Sequence, residues 1–297
     1  RVQAPSYELF QISGELSQWF PRLVAELNLN RLGFEAGGIT FARYQELSRA
    51  LAKAKATLSL VPVEGVVESL RAIKEPGEIE LITRAAEIGD KALEHTTELN
   101  LKGMTEKELA WELERFMRML GSQPVPFELI VASGPNAALP HAKPSERQIS
   151  PAEPIVIDIG ARVDGYCSDL TRTLYLDTPS SKGDRFKQVY DTVLSAQLAA
   201  ISLIREGMSG EEADNLARRV IQEAGFGQAF GHSLGHGVGL APHESPYLGP
   251  RSSDVLREGM VFTIEPGIYL PGWGGVRIED LVVMERGKPR VISRARK

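Results

Sequence analysis

Apolar positions along the chain recur with two different periods. Leu16, Phe20, Leu23, Val24 and Leu27 stand at helical spacing, and a second helix is predicted over 41–54. Leu32 to Glu35 and Leu58 to Val63 read as short strands beside them. The stretch up to about residue 70 is therefore predicted to form a small α/β unit, read as incomplete. It has scattered carboxylates and no His, so no chemistry is expected there. The breaker Glu75-Pro76-Gly77 then precedes a long amphipathic helix predicted over 78–98.

The next pattern repeats. Gly103-Met104-Thr105-Glu106-Lys107-Glu108 opens a helix that should close at Gly121. Gly207-Met208-Ser209-Gly210-Glu211-Glu212 opens another that should close at Gly225. Each has Thr or Ser followed three residues later by Glu, the capping-box pattern, and each ends on a C-terminal Gly. The two are offset by 104 residues at both ends. Each follows a long amphipathic helix (78–98 and 185–205) and precedes strand-rich sequence. Convergent helix capping would explain one such match, but not the constant offset and shared flanks. Two similar halves are predicted within the C-terminal region.

Each half is expected to end in an antiparallel pair. Residues 155–163 and 168–176 flank the turn Asp164-Gly165, and 260–270 and 275–284 flank the loop Pro271-Gly272-Trp273-Gly274. A curved sheet backed by two pairs of helices follows. In this reading Asp158 and Asp169 lie on facing strands of the first pair, and Glu265 and Glu279 on those of the second. Asp158 and Glu265 are set in apolar runs, where an unpaired ionised group costs several kcal/mol. Arg162, Arg172 or Arg277 could neutralise single acids. Four converging carboxylates repel one another, however, and cations explain them more economically.

Composition narrows the chemistry. The 297 residues carry 34 Lys+Arg against 39 Asp+Glu, five His and one Cys. Average hydrophobic and charged fractions exclude disorder and fibrous architecture. The negative balance argues against nucleic-acid binding. Cys167 alone can form neither an internal disulfide nor a thiolate zinc site. No run approaches the ~20 apolar residues of a membrane span, so a reducing, cytoplasmic setting is expected. The first residue, Arg1, is read as a processing or truncation boundary.

Four of the five His fall near the acids, at His141, His232, His236 and His243, whereas His95 is expected to be solvated on a helix face. Gly on both sides of His236 allows close approach of backbone or substrate. One imidazole with four carboxylates is a hard, oxygen-rich ligand set that suits Mn²⁺ or Co²⁺. Two divalent ions would balance four carboxylates and acidify a shared water.

From about Arg71 to the C-terminus these motifs resemble the pita-bread metallopeptidases, the family of methionine aminopeptidase, aminopeptidase P and prolidase. The resemblance rests on Ile157-Asp158-Ile159-Gly160, Ser168-Asp169-Leu170-Thr171-Arg172-Thr173 and Gly231-His232-Ser233-Leu234-Gly235-His236-Gly237-Val238-Gly239. Thr263-Ile264-Glu265-Pro266-Gly267 and Val276-Arg277-Ile278-Glu279-Asp280 complete it. It implies an α+β, creatinase/aminopeptidase-like catalytic domain of two pseudo-symmetric halves over 71–297, preceded by a creatinase-type N-terminal domain over 1–70. It also implies two metal ions, Mn²⁺ first with Co²⁺ and Zn²⁺ as alternatives, held by Asp158, Asp169, His236, Glu265 and Glu279.

His232, Arg277, the extra N-terminal unit and the junction 71–80 resemble the proline-specific branch. The implied reaction is hydrolysis of Xaa-Pro bonds at a free N-terminus by a cytoplasmic homodimer, with no nucleic-acid or membrane partner. Glu265 would move the proton, His141 and His243 would contact substrate and stabilise the oxyanion, and His232 and Arg277 would shape the prolyl side. A dipeptidase of the prolidase kind is expected first. Aminopeptidase P acting on longer peptides is the alternative, followed by methionine aminopeptidase and a non-catalytic peptide-binding relative. Tyr247 stands where prolidases usually carry Arg, which leaves the anchor for a dipeptide carboxylate open among Arg277, another Arg and a partner-subunit residue.

Overall fold

The computed structural model describes residues 6–176 and 182–297, so Arg1 lies outside the described residues. The chain divides into two compact units, Arg1–Val67 and Glu68–Lys297.

In the first unit, β1 (Arg31–Glu35) and β2 (Ser59–Val63) pair in parallel. Helices α1 (Leu16–Glu26) and α2 (Phe41–Lys53) accompany them. A parallel pair needs a crossover, and α2 supplies it. Thr40 caps this helix, accepting from Arg43 N at 3.2 Å. Leu16, Phe20 and Val24 of α1 meet Ala50, Leu51 and Leu58 in a small core. Leu27, expected on the same stripe, caps the helix and is exposed.

The division falls within α3 (Val66–Ala72), so the second unit begins inside this helix. It continues with α4 (Pro76–His95), α5 (Glu106–Met119), β3 (Ile130–Ser133), β4 (Pro154–Ile159), β5 (Arg162–Val163), β6 (Tyr166–Cys167) and β7 (Leu170–Tyr175). The later half holds α6 (Lys182–Leu203), α7 (Gly210–Glu223), β8 (Gly235–Gly237), β9 (Glu244–Leu248), β10 (Val261–Ile264), β11 (Gly267–Leu270), β12 (Gly274–Arg277), β13 (Asp280–Glu285) and β14 (Lys288–Val291). Both repeated capping boxes form, with Thr105 and Glu108 at α5 and Ser209 and Glu212 at α7. Gly121 and Gly225 take the left-handed backbone (φ 99° and 86°) that ends a helix without a Cβ clash.

Each half has its own sheet under its own helix pair. β3, β4 and β7 form a three-stranded antiparallel sheet, and the order β14-β13-β10-β8-β9 forms a five-stranded one. Ile155, Ile157 and Ile159 of β4 pack with Leu109 and Leu113 of α5. Phe262 and Ile264 of β10 pack with Ala213, Ala217 and Ile221 of α7. The period of two along a strand then turns Asp158 and Thr263 to the faces away from the helices.

The expected long hairpins are interrupted. After β4 and β10 the chain leaves its ladder, and β5-β6 and β11-β12 form separate two-stranded pairs. Pro266 has no N–H to continue a ladder. At Gly160 a Cβ would stand 2.4 Å from the Ser168 carbonyl oxygen, so only Gly permits the approach. Asp169, Glu265 and Glu279 lie at these breaks, and Asp158 one residue before the end of β4.

Candidate active site

Asp158 lies inside β4 and faces Thr171, not Asp169. Asp169 sits just before β7, opposite Gly160 in the register that β4-β7 and β5-β6 share, and Ser168 Oγ accepts from Ala161 N at 3.0 Å beside it. In the second half Ile264 pairs with Asp280, which leaves Glu265 and Glu279 just beyond the end of the β10-β13 ladder. Glu265 and Glu279 therefore face each other as expected, at the break between two ladders that keep one register, whereas Asp158 and Asp169 are diagonal neighbours and not a facing pair.

All four line one cavity of about 520 Å³ together with His141, His232, His236, His243 and Arg277. Ligand-capable atoms of Asp169, His236 and Glu279 lie within 4.8 Å of one another. His236 Nε2 is 3.2 Å from Glu265 Oε1 and 3.7 Å from Asp169 Oδ2. Its Nδ1 donates to the Gly237 carbonyl at 3.1 Å, which directs Nε2 at the carboxylates. Cβ atoms at Gly235 and Gly237 would stand 2.1 and 2.2 Å from the carbonyl oxygens of Thr263 and Ser245. The glycines thus let the backbones on either side of β8 close in on the His236 strand.

The electrostatics of the cluster call for positive charge. Burial, then repulsion from Glu279, Asp158 and Glu265, drives the Asp169 carboxyl well above its ordinary range. Burial and the charges of Glu265 and Asp158 do the same to Glu279. Burial also raises Asp158, against the pull of Arg277. Burial would raise Glu265 as well, but contact with His236 holds it down at about 2. Asp158 Oδ1 is buried without a hydrogen-bond donor among the described residues. An oxygen-rich pocket in which three of the four carboxylates are driven toward their neutral forms, with an orphaned oxygen and an imidazole nitrogen aimed at the acids, fits divalent cations.

Arg277 partly realises the other expected way of neutralising an acid. It is buried and donates from Nη2 to Asp158 Oδ2 at 2.6 Å, and from Nε to Thr171 Oγ1 at 3.1 Å. Arg172 turns instead to Asp280, at 2.7 Å, outside the cavity. Sequence reasoning missed Tyr269, whose hydroxyl accepts from Arg277 Nη1 at 2.9 Å and lies 2.9 Å from His232 Nε2. His232 Nδ1 donates to its neighbour Ser233's carbonyl, so Nε2 accepts from the Tyr269 hydroxyl. A Tyr in the otherwise small and aliphatic strand β11 was the one available signal. Thr171 was also missed: its hydroxyl donates to Glu279 Oε2 at 2.6 Å.

His243 stacks on His236, with ring centroids 3.9 Å apart, and burial followed by the His236 charge lowers its pKa. His141 stands exposed on the cavity wall. His95 is not solvated as expected. It stacks on Phe116 at 4.1 Å and bridges Glu98 and Glu112, each at 3.0 Å. No helix among the described residues is long and apolar enough to cross a membrane.

Residues 80–286 match the family described as Metallopeptidase family M24, and residues 1–73 match the Creatinase/Prolidase N-terminal domain. Uncharacterized peptidase YqhT of Bacillus subtilis is 41% identical over 297 residues, covering all of this chain and 82% of that protein. The Xaa-Pro dipeptidase of Pyrococcus furiosus is 44% identical over 235 residues, which cover 79% of this chain and 67% of that one. Among solved structures, the Xaa-Pro dipeptidase from Bacillus anthracis superposes with a TM-score of 0.93 at 42% identity, covering 100% of this chain and 81% of that one. The X-Pro aminopeptidase from Thermotoga maritima gives 0.87 at 37%, covering 99% and 82%.

Proposed function

This chain belongs to metallopeptidase family M24, and we propose that it hydrolyses the Xaa-Pro bond at the free N-terminus of peptides, as an Xaa-Pro dipeptidase. Its fold is the pita-bread architecture with a creatinase-type N-terminal domain. The observation that carries the reading is the convergence of Asp158, Asp169, His236, Glu265 and Glu279 on one cavity, in a protein whose M24 relatives include Xaa-Pro dipeptidases.

These five residues would hold two divalent ions, Mn²⁺ in preference to Co²⁺ or Zn²⁺, since carboxylate oxygens dominate the set. Bound divalent ions supply Lewis acidity, which polarises a carbonyl and acidifies water. The remaining work falls to side chains. Glu265 takes the proton of the attacking water and delivers it to the departing proline nitrogen, which as a tertiary amide has no hydrogen of its own. His141 and His243, on the cavity wall, contact the substrate and donate toward the developing oxyanion. Arg277 orients Asp158 and, through Tyr269, fixes the lone pair and ring plane of His232 beside the prolyl group.

The domain limits 1–70 and 71–297, a homodimeric state and a cytoplasmic location belong to the same proposal. The test is an initial-rate panel of Xaa-Pro dipeptides and tripeptides with Mn²⁺ added. Dipeptides should be cleaved fastest, and Met-Ala-type peptides should be resistant. Absence of Xaa-Pro hydrolysis with every divalent ion tried would refute the reading.

A further inference from the structure

The cavity holds an unequal set of charges. Among the described residues, its walls include the carboxylates of Glu128, Asp158, Asp169, Glu265 and Glu279 but only two permanent cations, Lys143 and Arg277. Arg277 is occupied. Its Nε donates to Thr171, Nη1 to Tyr269 and the Pro140 carbonyl, and Nη2 to Asp158. A substrate carboxylate could take this guanidinium only by displacing groups that shape the site.

Lys143 is in the opposite condition. It stands two residues beyond His141 in the same loop, its side chain is 78% exposed, and it pairs with Glu128 at 2.7 Å, itself 62% exposed. Such a pair is held weakly, because water screens it and two flexible side chains lose freedom in forming it. A second carboxylate can exchange for Glu128 at little cost. Tyr247, half exposed on the wall, brings a ring and a hydroxyl but no charge.

We propose that Lys143 receives the free α-carboxylate of a dipeptide substrate, and that Glu128 is the built-in competitor which holds the ammonium group at the cavity wall until that carboxylate displaces it. This rests on the reading of the site as an Xaa-Pro hydrolase. It adds the group that tells a dipeptide acid from a blocked or longer peptide. With the four metal-holding carboxylates balanced by their ions and Arg277 committed to Asp158, a wall without Lys143 would offer the substrate carboxylate Glu128 and, among the described residues, no free cation to oppose it.

The test measures KM and kcat for Ala-Pro, Ala-Pro amide and Ala-Pro-Gly with Mn²⁺ in the wild type, Lys143→Gln and Glu128→Gln. Lys143→Gln should raise KM for Ala-Pro roughly twofold to fivefold, as expected for loss of one exposed charge contact. Its kcat and the KM for the amide should be little changed. Glu128→Gln should lower KM for Ala-Pro, most at low ionic strength, because the competitor's charge is gone. An unmoved KM for Ala-Pro in Lys143→Gln overturns the proposal, and so does an equal rise for acid and amide, which would mark a general wall contact. If none of the three peptides is cleaved by the wild type, the underlying reading falls and the proposal with it, so the two failures are distinguishable. Both side chains are exposed, and unchanged thermal midpoints would confirm that the variants fold.

Discussion

Arg277 neutralises one oxygen of Asp158 at 2.6 Å and leaves the other, Oδ1, buried with no donor among the described residues. One carboxylate thus serves two cations, a permanent guanidinium and, in the proposed scheme, a metal ion. Arg277→Met should therefore destabilise the metal-free protein by about 3–5 kcal/mol, the usual cost of removing one partner of a buried pair. The loss should shrink when Mn²⁺ is present, because the ion partly replaces the missing charge. Urea unfolding with and without Mn²⁺ measures both, and an equal loss in the two conditions would count against shared neutralisation.

Glu265→Gln keeps the shape of the side chain but removes its charge and its capacity to take a proton. The expected result is a fall in kcat/KM of at least about a hundredfold, with far-UV circular dichroism unchanged. Full activity in a metal-stripped Glu265→Gln protein would sink the mechanism.

Chelation by EDTA should abolish hydrolysis and added Mn²⁺ should restore it. A ligand that binds only the folded state also raises its stability with the logarithm of ligand concentration. The thermal midpoint should accordingly climb with Mn²⁺ well beyond saturation of activity. A midpoint indifferent to both chelator and metal would argue for a binding module without metal.

His95 gives a pH prediction remote from the cavity. Burial lowers its pKa, but hydrogen bonds to Glu112 and Glu98 prevail and hold it above the ordinary value of 6.5. Folding therefore favours the protonated ring. The stabilisation is fully present below about pH 6.5 and is lost as pH rises through the higher folded pKa. Comparing urea midpoints of the wild type and His95→Gln at about pH 5.5 and about pH 8.5 should show the larger deficit at the acid value. A deficit independent of pH would mean that only the stacking on Phe116 matters.

The elements with local causes were legible in the sequence. A capping box closes within three residues, so Thr105 with Glu108 and Ser209 with Glu212 announced their helices, and Gly121 and Gly225 their ends. The residues that line the cavity could be picked out because acids within apolar runs demand compensation. The facing of Glu265 and Glu279 was legible because the hairpin register runs unchanged through the break at Pro266, whereas the offset of Asp158 from Asp169 was not, since a register shifted by two residues leaves the hydrophobic pattern the same. His95 was misread because Phe116 and Glu112 come from another helix. The contact of Tyr269 with His232 depends on how two distant segments curl together, and no periodicity encodes that.

The two halves are joined at β7 by bonds that matter for the site. The Thr171 hydroxyl holds Glu279, and Thr173 Oγ accepts from Arg277 N at 3.0 Å. These partners stand more than a hundred residues apart in the chain, so their closure is entropically late, after each sheet has acquired its own helices. A transient opening of this seam would scatter the cavity residues and part the apolar cluster of Ile82, Ala86 and Cys167 with Val238, Val261 and Leu281, while the core under each helix pair stayed folded. Slow amide exchange at Glu279 and Arg277 would then track metal occupancy more closely than exchange anywhere in the helices. Such behaviour would make the active site a separate cooperative unit, with its own opening free energy.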